Sequence, residues 1–410
     1  MLAILLLLSI SAWYGWRYSK TDIDPDWAMF NLGGFTGSKY GRDFADCKTA
    51  GVHLWYLMLV KIVGKSVPRV KFIHHALLGM AGIGVYLLSG SFWNGLAFTV
   101  LINSGWLLAF HGNVGQVPAA LIALSFTLPP WMAIILWALT VFYEPKLILT
   151  FLLMFLFKSW WVEWPTLLAL LCGGGLIMAY LALTKQWKGW WESSVTIPGR
   201  MAKARKIYSY PWVPWFTASG FLYLLPWAAL AVAAKPDVRY WLPAAAYLIF
   251  SGMGKVLRPN HFIPLVAWIA GAGIAPWMVL MLCVVDWTSA GFYLGDIWGR
   301  FYLGLRDLNQ EAQRAGEWLK DKAGSIWVNG IHTGIYIYAQ KPVNYGLAEQ
   351  IEIREVAHER RAEMVKRWKS DPPAWVVMTQ GAGVKFNATG YVRAERFGST
   401  EIWRKQNGSL

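Results

Sequence analysis

The stretch IDPDWAMFNLGGFTGSKYGRDFADCKTAGVHLWY, Ile23 to Tyr56, decides how the chain is organised. It lies between two apolar runs, 1–18 and 50–64. Together with Asp22 just ahead of it, it holds the carboxylates of Asp24, Asp26, Asp43 and Asp46 and the ammonium of Lys48. Isolated charges are costly to bring near lipid. The stretch is therefore either a solvated loop or the lining of a polar chamber at a membrane surface. Asp24-Pro25 has the form of a helix start, because Asp caps first-turn amides and Pro suits the first helical position. Asp43 and Asp46, three apart, are expected to share a helical face.

Working outward, the 410 residues are 56% hydrophobic and 15% charged, against about 25% charged in an average soluble domain. Residues 1–300 hold 22 Lys/Arg and 11 Asp/Glu, whereas 301–410 hold 16 and 12. The pattern predicts an α-helical polytopic membrane protein with a small C-terminal α/β domain, divided as 1–300 and 301–410. Apolar runs at 1–18, 50–64, 70–89, 92–110, 118–142, 146–157, 163–184, 211–234, 240–257 and 262–285 give about ten or eleven spans. Pro129-Pro130 interrupts one of them. The N-terminus has no basic residue ahead of its apolar run and no small-x-small cleavage site, so it reads as a retained first span.

The net charge of +15 is spread in short clusters between apolar runs, which fits anionic headgroups better than nucleic acid. KSVPRVK (Lys65–Lys71) reads as a cytoplasmic turn between the second and third spans, which places the loop 19–49 outside. The segment 185–210 reads as a cytoplasmic loop or an interfacial helix under an aromatic belt. In the tail, FYLGLRDLNQEAQRAGEWLKDKAG predicts an amphipathic helix, SIWVNGI and GIYIYAQ two short strands, and IEIREVAHERRAEMVKRWKSD a helix. AWVVMTQ and VKFNATGYVRAERFGSTEIWRK supply three further strands. Gly381–Gly383 lacks the Lys-Ser/Thr of a phosphate loop. Cys47, Cys172 and Cys283 are too dispersed for a disulfide framework or a zinc site.

Lysine at the mouth of a span suits a phosphate at headgroup depth, and a nearby carboxylate suits a general base. With Asp24, Asp26-Trp27-Ala28, GSKYGRDFADCKTAG and HLWY on the page, the first loop resembles that of the C-type membrane glycosyltransferases. That superfamily includes the protein mannosyltransferases and the lipid A aminoarabinose transferases. Gly37, Tyr40, Asp43, Phe44 and Lys48 carry the match, while Thr49-Ala50-Gly51 stands where prolines are usual. GKVLRPNHFIPLVAWIAG is similar to a late segment of bacterial relatives, through Arg258, His261, Phe262 and Pro264. The tail also resembles their external domain.

The resemblance implies an inverting transferase in the bacterial inner (plasma) membrane. It would move a sugar from a polyprenyl phosphate to a hydroxyl on a lipid, glycan or protein, with loop and tail extracytoplasmic. Asp24 is the candidate base, with Asp22 and Asp26 as alternatives. Lys48, helped by Arg258 or Arg42, would bind the donor phosphate. Asp43 and Asp46 would orient Lys48 or bind sugar hydroxyls. Trp27, Tyr40, Trp55 and Tyr56 would form a stacking wall, and His261 a further contact. HGNVGQVP offers His111, Asn113 and Gln116 to the acceptor side. Glu144 and Glu163 read as helix ends. No cofactor is required, and a divalent cation has no fixed ligand spacing to hold it. Two other classes remain in view: a transporter or lipid flippase, and a non-catalytic membrane scaffold.

Overall fold

The computed structural model describes residues 1–20, 23, 25–45, 50–103, 113–126, 128–159, 163–204, 242–243, 245–247, 276–277, 279–280, 283–284, 299–330, 332–344, 346–347, 358–379 and 386–406. The protein is mostly helical, with a small mixed β-sheet near the C-terminus. Among the described residues, two helices are long and apolar enough to cross a membrane, Val67–Ser89 and Trp164–Leu183, and five shorter apolar helices accompany them. The expected runs 211–234, 240–257 and 262–285 lie wholly or largely outside the described residues. The run 118–142 is two helices, because Pro129-Pro130 ends one and starts the next.

The chain forms two compact units. The first comprises Met1–Lys20, Lys71–Tyr180 and Ala202–Gly295. Its helices are α1 (Leu2–Ser19), α4 (Val67–Ser89, from Lys71 onward), α5 (Phe92–Asn103), α6 (Asn113–Ser125), α7 (Pro130–Tyr143), α8 (Ile148–Phe157) and α9 (Trp164–Leu183). α4 and α5 form an antiparallel hairpin. His75 meets Asn103, Thr99 donates to the Gly79 carbonyl, and Tyr86 packs on Phe92. Gly95 lets the helices close, since a Cβ there would lie 2.6 Å from the Gly82 carbonyl oxygen. α1 runs parallel to α5 and against α4, with Tyr18 at Asn103 and His75, and Ser11 at Gly79. The end of α1 and the start of α4 therefore share one end of this unit, and residues 21–70 leave and return there.

The expected run at 50–64 is a helix of the second unit, α3 (Ala50–Val63). Its 14 residues are short for a span, and Val52, His53, Tyr56, Leu59 and Val60 are buried within the protein.

The second unit gathers Thr21–Val70, Leu181–Met201 and Asp296–Leu410, so the expected tail domain falls within a larger body. Its first helix, α2 (Pro25–Thr36), occupies much of what the sequence presents as loop. Next come β1 (Phe44–Ala45) and α3. The segment 185–204 is helical: α10 (Trp187–Trp191), a π-turn at Glu192–Thr196, and α11 (Ile197–Ala204). The amphipathic α12 (Gly299–Lys320) leads to β2 (Ile326–Asn329), α13 (Gly334–Ala339), β3 (Gly346–Leu347), α14 (His358–Ser370), β4 (Trp375–Met378), β5 (Tyr391–Phe397) and β6 (Thr400–Lys405).

The sheet order is β2-β4-β6-β5, with β2 parallel to β4 and the rest antiparallel, as strand, helix, strand and hairpin require. Trp327, Met364 and Val376 bury its centre, and Ile197 from the 185–204 segment joins them. GIYIYAQ is a helix rather than the expected strand. Its residues are buried on every side, and Gln340 ends it in the left-handed conformation.

Candidate functional site

The site is built on the α2–α3 pair. Phe30 stacks on Tyr56 at 6.1 Å and meets His53 at 6.2 Å, and Trp27 meets Tyr56 at 6.2 Å. Further along, Gly34 abuts Val60, whose Cγ2 would be 2.8 Å from a Cβ placed there. Phe30 and Gly34, four residues apart, meet Tyr56 and Val60, also four apart, so the helices run in the same direction there and both N-terminal ends lie on one side of the crossing. Such ends present unpaired amides and the positive pole of each helix dipole. α2 begins at Pro25, as Asp24-Pro25 foretold, and α3 begins at Ala50. The side chains assigned to chemistry flank those starts in sequence. Asp22, Asp24, Asp46 and Lys48 lie outside the described residues, and Asp26 is placed in the first turn of α2 by backbone alone.

Between the helices the chain makes a tight turn, and Asp43 holds it. Its carboxylate accepts the Lys39 amide at 2.7 Å and takes Arg42 in a fork, Nε to Oδ1 at 2.7 Å and a terminal nitrogen to Oδ2 at 2.8 Å. Burial pushes the Asp43 carboxyl up. The Arg42 fork, the Lys39 amide and the charge of Arg367 outweigh it and hold the pKa below the ordinary value. Asp43 thus orients Arg42, whose side chain is 63% exposed.

Of the helical face expected for Asp43 and Asp46, Asp46 lies outside the described residues. Phe44–Ala45 is extended and pairs in parallel with Gly346–Leu347, which pulls this segment out of helical geometry. Gly41 (φ +79°) lets the backbone turn and approach Gly189, where a Cβ would collide with the Gly41 Cα.

Of the four residues expected to form an aromatic wall, three are packed inward and Trp55 is half-buried. Trp27, Tyr40 and Tyr56 are buried, and Tyr40 stacks on His53 at 4.3 Å. Burial pushes the His53 imidazole down to about 3, only partly offset by the Phe30 backbone. The tail closes over this body: Val343 donates its amide to Ser38 Oγ at 2.9 Å. Ile23, between Asp22 and Asp24, is buried with its Cγ2 3.6 Å from where a Gly334 Cβ would stand. Beside it the buried His332 pairs through Nε2 with Asn309 of α12. Neither His53 nor His332 was singled out from sequence. The only signal was a polar letter inside an apolar run, which composition cannot separate from an ordinary core residue.

The remaining assigned residues belong to the first unit. Gln116 is buried, meets His74 Nε2 at 3.2 Å and donates to the Ile102 carbonyl at 2.6 Å. Asn113 is placed by backbone only, and His111, Arg258 and His261 lie outside the described residues. Among the described residues, no three His, Cys, Asp or Glu side chains gather as a metal site would need.

No protein-family model matches the chain, no curated protein matches its sequence, and no solved structure matches its fold. The resemblance of the first loop rests on its own residues.

Proposed function

We propose that the protein is a polytopic membrane glycosyltransferase that moves a sugar from a polyprenyl-phosphate donor to an acceptor hydroxyl. The observation that carries this reading is the shared direction of α2 and α3. It supports bringing the acidic segment 22–26 and Lys48 to one end of a protein-walled pair. In the proposed reaction the acceptor hydroxyl attacks the anomeric carbon as Asp24, or Asp22 or Asp26 in its place, takes the proton. The glycosyl–phosphate bond breaks with its electron pair on the phosphate, and Lys48 neutralises the growing charge. Inversion follows, because one displacement suffices.

Membrane embedding is supported by the exposed apolar flanks of α9, where Leu171 is 70% and Leu176 72% exposed. Only 11% of that helix's most apolar window is buried in protein. Water would charge heavily for such a surface, whereas lipid accepts it.

A second reading is a membrane scaffold that holds anionic lipid through the basic residues of KSVPRVK and the first loop, without turnover.

Purified protein assayed with labelled polyprenyl-phosphate sugars separates the readings. Asp24→Asn should bind donor normally while turnover falls by about 10²–10⁴-fold. Lys48→Met should weaken donor binding as well. Wild-type turnover in single and combined Asp22, Asp24 and Asp26 variants would remove the transferase reading from this loop.

A further inference from the structure

The first unit buries a polar cluster that the transferase reading does not use. Lys71, His74 and His75 occupy the early turns of α4 and are buried, as are Asn103 at the end of α5 and Gln116 near the start of α6. Tyr18, near the end of α1, stacks on His75 at 3.8 Å and donates to the Asn103 carbonyl at 2.8 Å. All of them lie at the end of the unit where residues 21–70 leave and return. Buried polar groups in an apolar helical body cost free energy unless satisfied, and ionisable ones there mark function more often than structure.

The hydrogen bonds fix which nitrogen carries each proton. Asn103 Nδ2 donates to the Thr99 carbonyl at 3.2 Å, so its Oδ1 faces His75 Nδ1 at 2.9 Å and must accept from it. Neutral His75 therefore holds its proton on Nδ1 and its lone pair on Nε2. His74 is fixed in the opposite sense, because Gln116 donates to Ile102 and turns Oε1 toward His74 Nε2. Among the described residues Nε2 of His75 has no hydrogen-bond partner, although the residue is only 5% exposed. The basic nitrogen of this buried residue, held in register by a stacked tyrosine and an asparagine, is built to receive a donor.

The surroundings say what kind of donor. Phe72, Leu77 and Met80 on the same helix are exposed and apolar, which suits an acyl chain alongside. We propose that this end of the first unit binds the hydroxyl-bearing headgroup of a membrane lipid, with His75 Nε2 accepting a hydrogen bond from that hydroxyl. On the transferase reading, on which only this clause depends, the occupant is the acceptor substrate.

The test uses the full chain in phosphatidylcholine nanodiscs, titrated with phosphatidylglycerol or with phosphatidylmethanol. The two carry the same charge, and only the first has hydroxyls. The ¹⁵N resonance of His75 Nε2 should move upfield with phosphatidylglycerol and stay with phosphatidylmethanol. His75→Asn keeps a donor for Asn103 but deletes Nε2, and should lower the preference for phosphatidylglycerol by about three- to tenfold. His75→Gln, with a polar atom near the Nε2 position, should retain part of it. Equal shifts with both lipids, no shift with either, or an unchanged preference in His75→Asn would overturn the site. No turnover enters the readout. A silent His75 leaves the transferase reading standing, and a responsive His75 in an inactive protein removes only that reading.

Discussion

His53 makes stability in the second unit depend on pH in a direction that can be worked out in advance. Folded, it is enclosed by Tyr40, Phe30 and Phe44, and burial holds its pKa at about 3. Unfolded, it titrates near 6.5. Below pH 6.5 the unfolded chain takes up a proton that the folded one refuses, so stability falls as pH drops and levels off near pH 3. Each unit in that window costs about 1.4 kcal/mol, hence about 2 kcal/mol between pH 7 and pH 5. Asp43 does not confuse the measurement. Its depressed pKa contributes stability above the unfolded value of about 3.9, lost only at lower pH. His53→Phe keeps a ring among the same neighbours and removes the titration, while every other titrating group is common to both proteins. Unfolding of the detergent-solubilised chain, followed by tryptophan fluorescence from pH 7.5 to 5, should show wild type declining more steeply than His53→Phe. Parallel decline in the two proteins would refute the buried, neutral imidazole.

Three further outcomes follow from contacts within the second unit. Gly189→Ala should lower the melting temperature, at a cost of about 1–3 kcal/mol, because its methyl collides with backbone at Gly41 rather than a yielding side chain. Ser38→Ala strands the buried Val343 amide, so hydrogen exchange at that amide should quicken about tenfold or more. With the native cysteines replaced, single cysteines at the exposed positions Lys39, Lys65 and Thr389 should all label from the same side of intact vesicles. Label reaching Lys65 from the opposite side to Lys39 would restore α3 as a span.

The tail was legible where burial is one-sided or complete over a short run. AWVVM and the pair YVRAERF and TEIWRK fall where strands stand, and the amphipathic 299–320 is a helix. GIYIYAQ misled because a helix buried on all faces has no polar stripe to report its period. PDWAMFNLGGFT looked like loop through its carboxylate and glycines, yet Trp27, Phe30 and Leu32 supply an inward face. α3 is ambiguous for a deeper reason: apolar composition does not distinguish burial in lipid from burial in protein. A run of 14 residues is where the two overlap. The helix starts at Pro25 and Ala50 were readable from their flanking residues. Their common direction was not, since it depends on which rings meet across the pair.

That distinction bears on what the charges of the first loop can do. At a lipid-lined mouth, each carboxylate near Lys48 would carry the desolvation cost of hydrocarbon. Instead α2 and α3 bury Trp27, Phe30 and Tyr56 against one another, and β3 and α13 add backbone and side chains from the tail. The α2–α3 pair is thus walled by protein, a setting in which opposed charges interact more strongly than in water and fixed amides offset part of the burial cost. A transferase needs such walls: a base that stays ionised and a cation that holds phosphate must coexist without neutralising each other. Asp43 meets the same requirement on a small scale, kept ionised by Arg42 and the Lys39 amide although partly buried. A scaffold for anionic lipid needs the cations but has no use for the carboxylates at the α2 start. The turnover of the Asp24 variants, more than donor binding, therefore carries the decision between them.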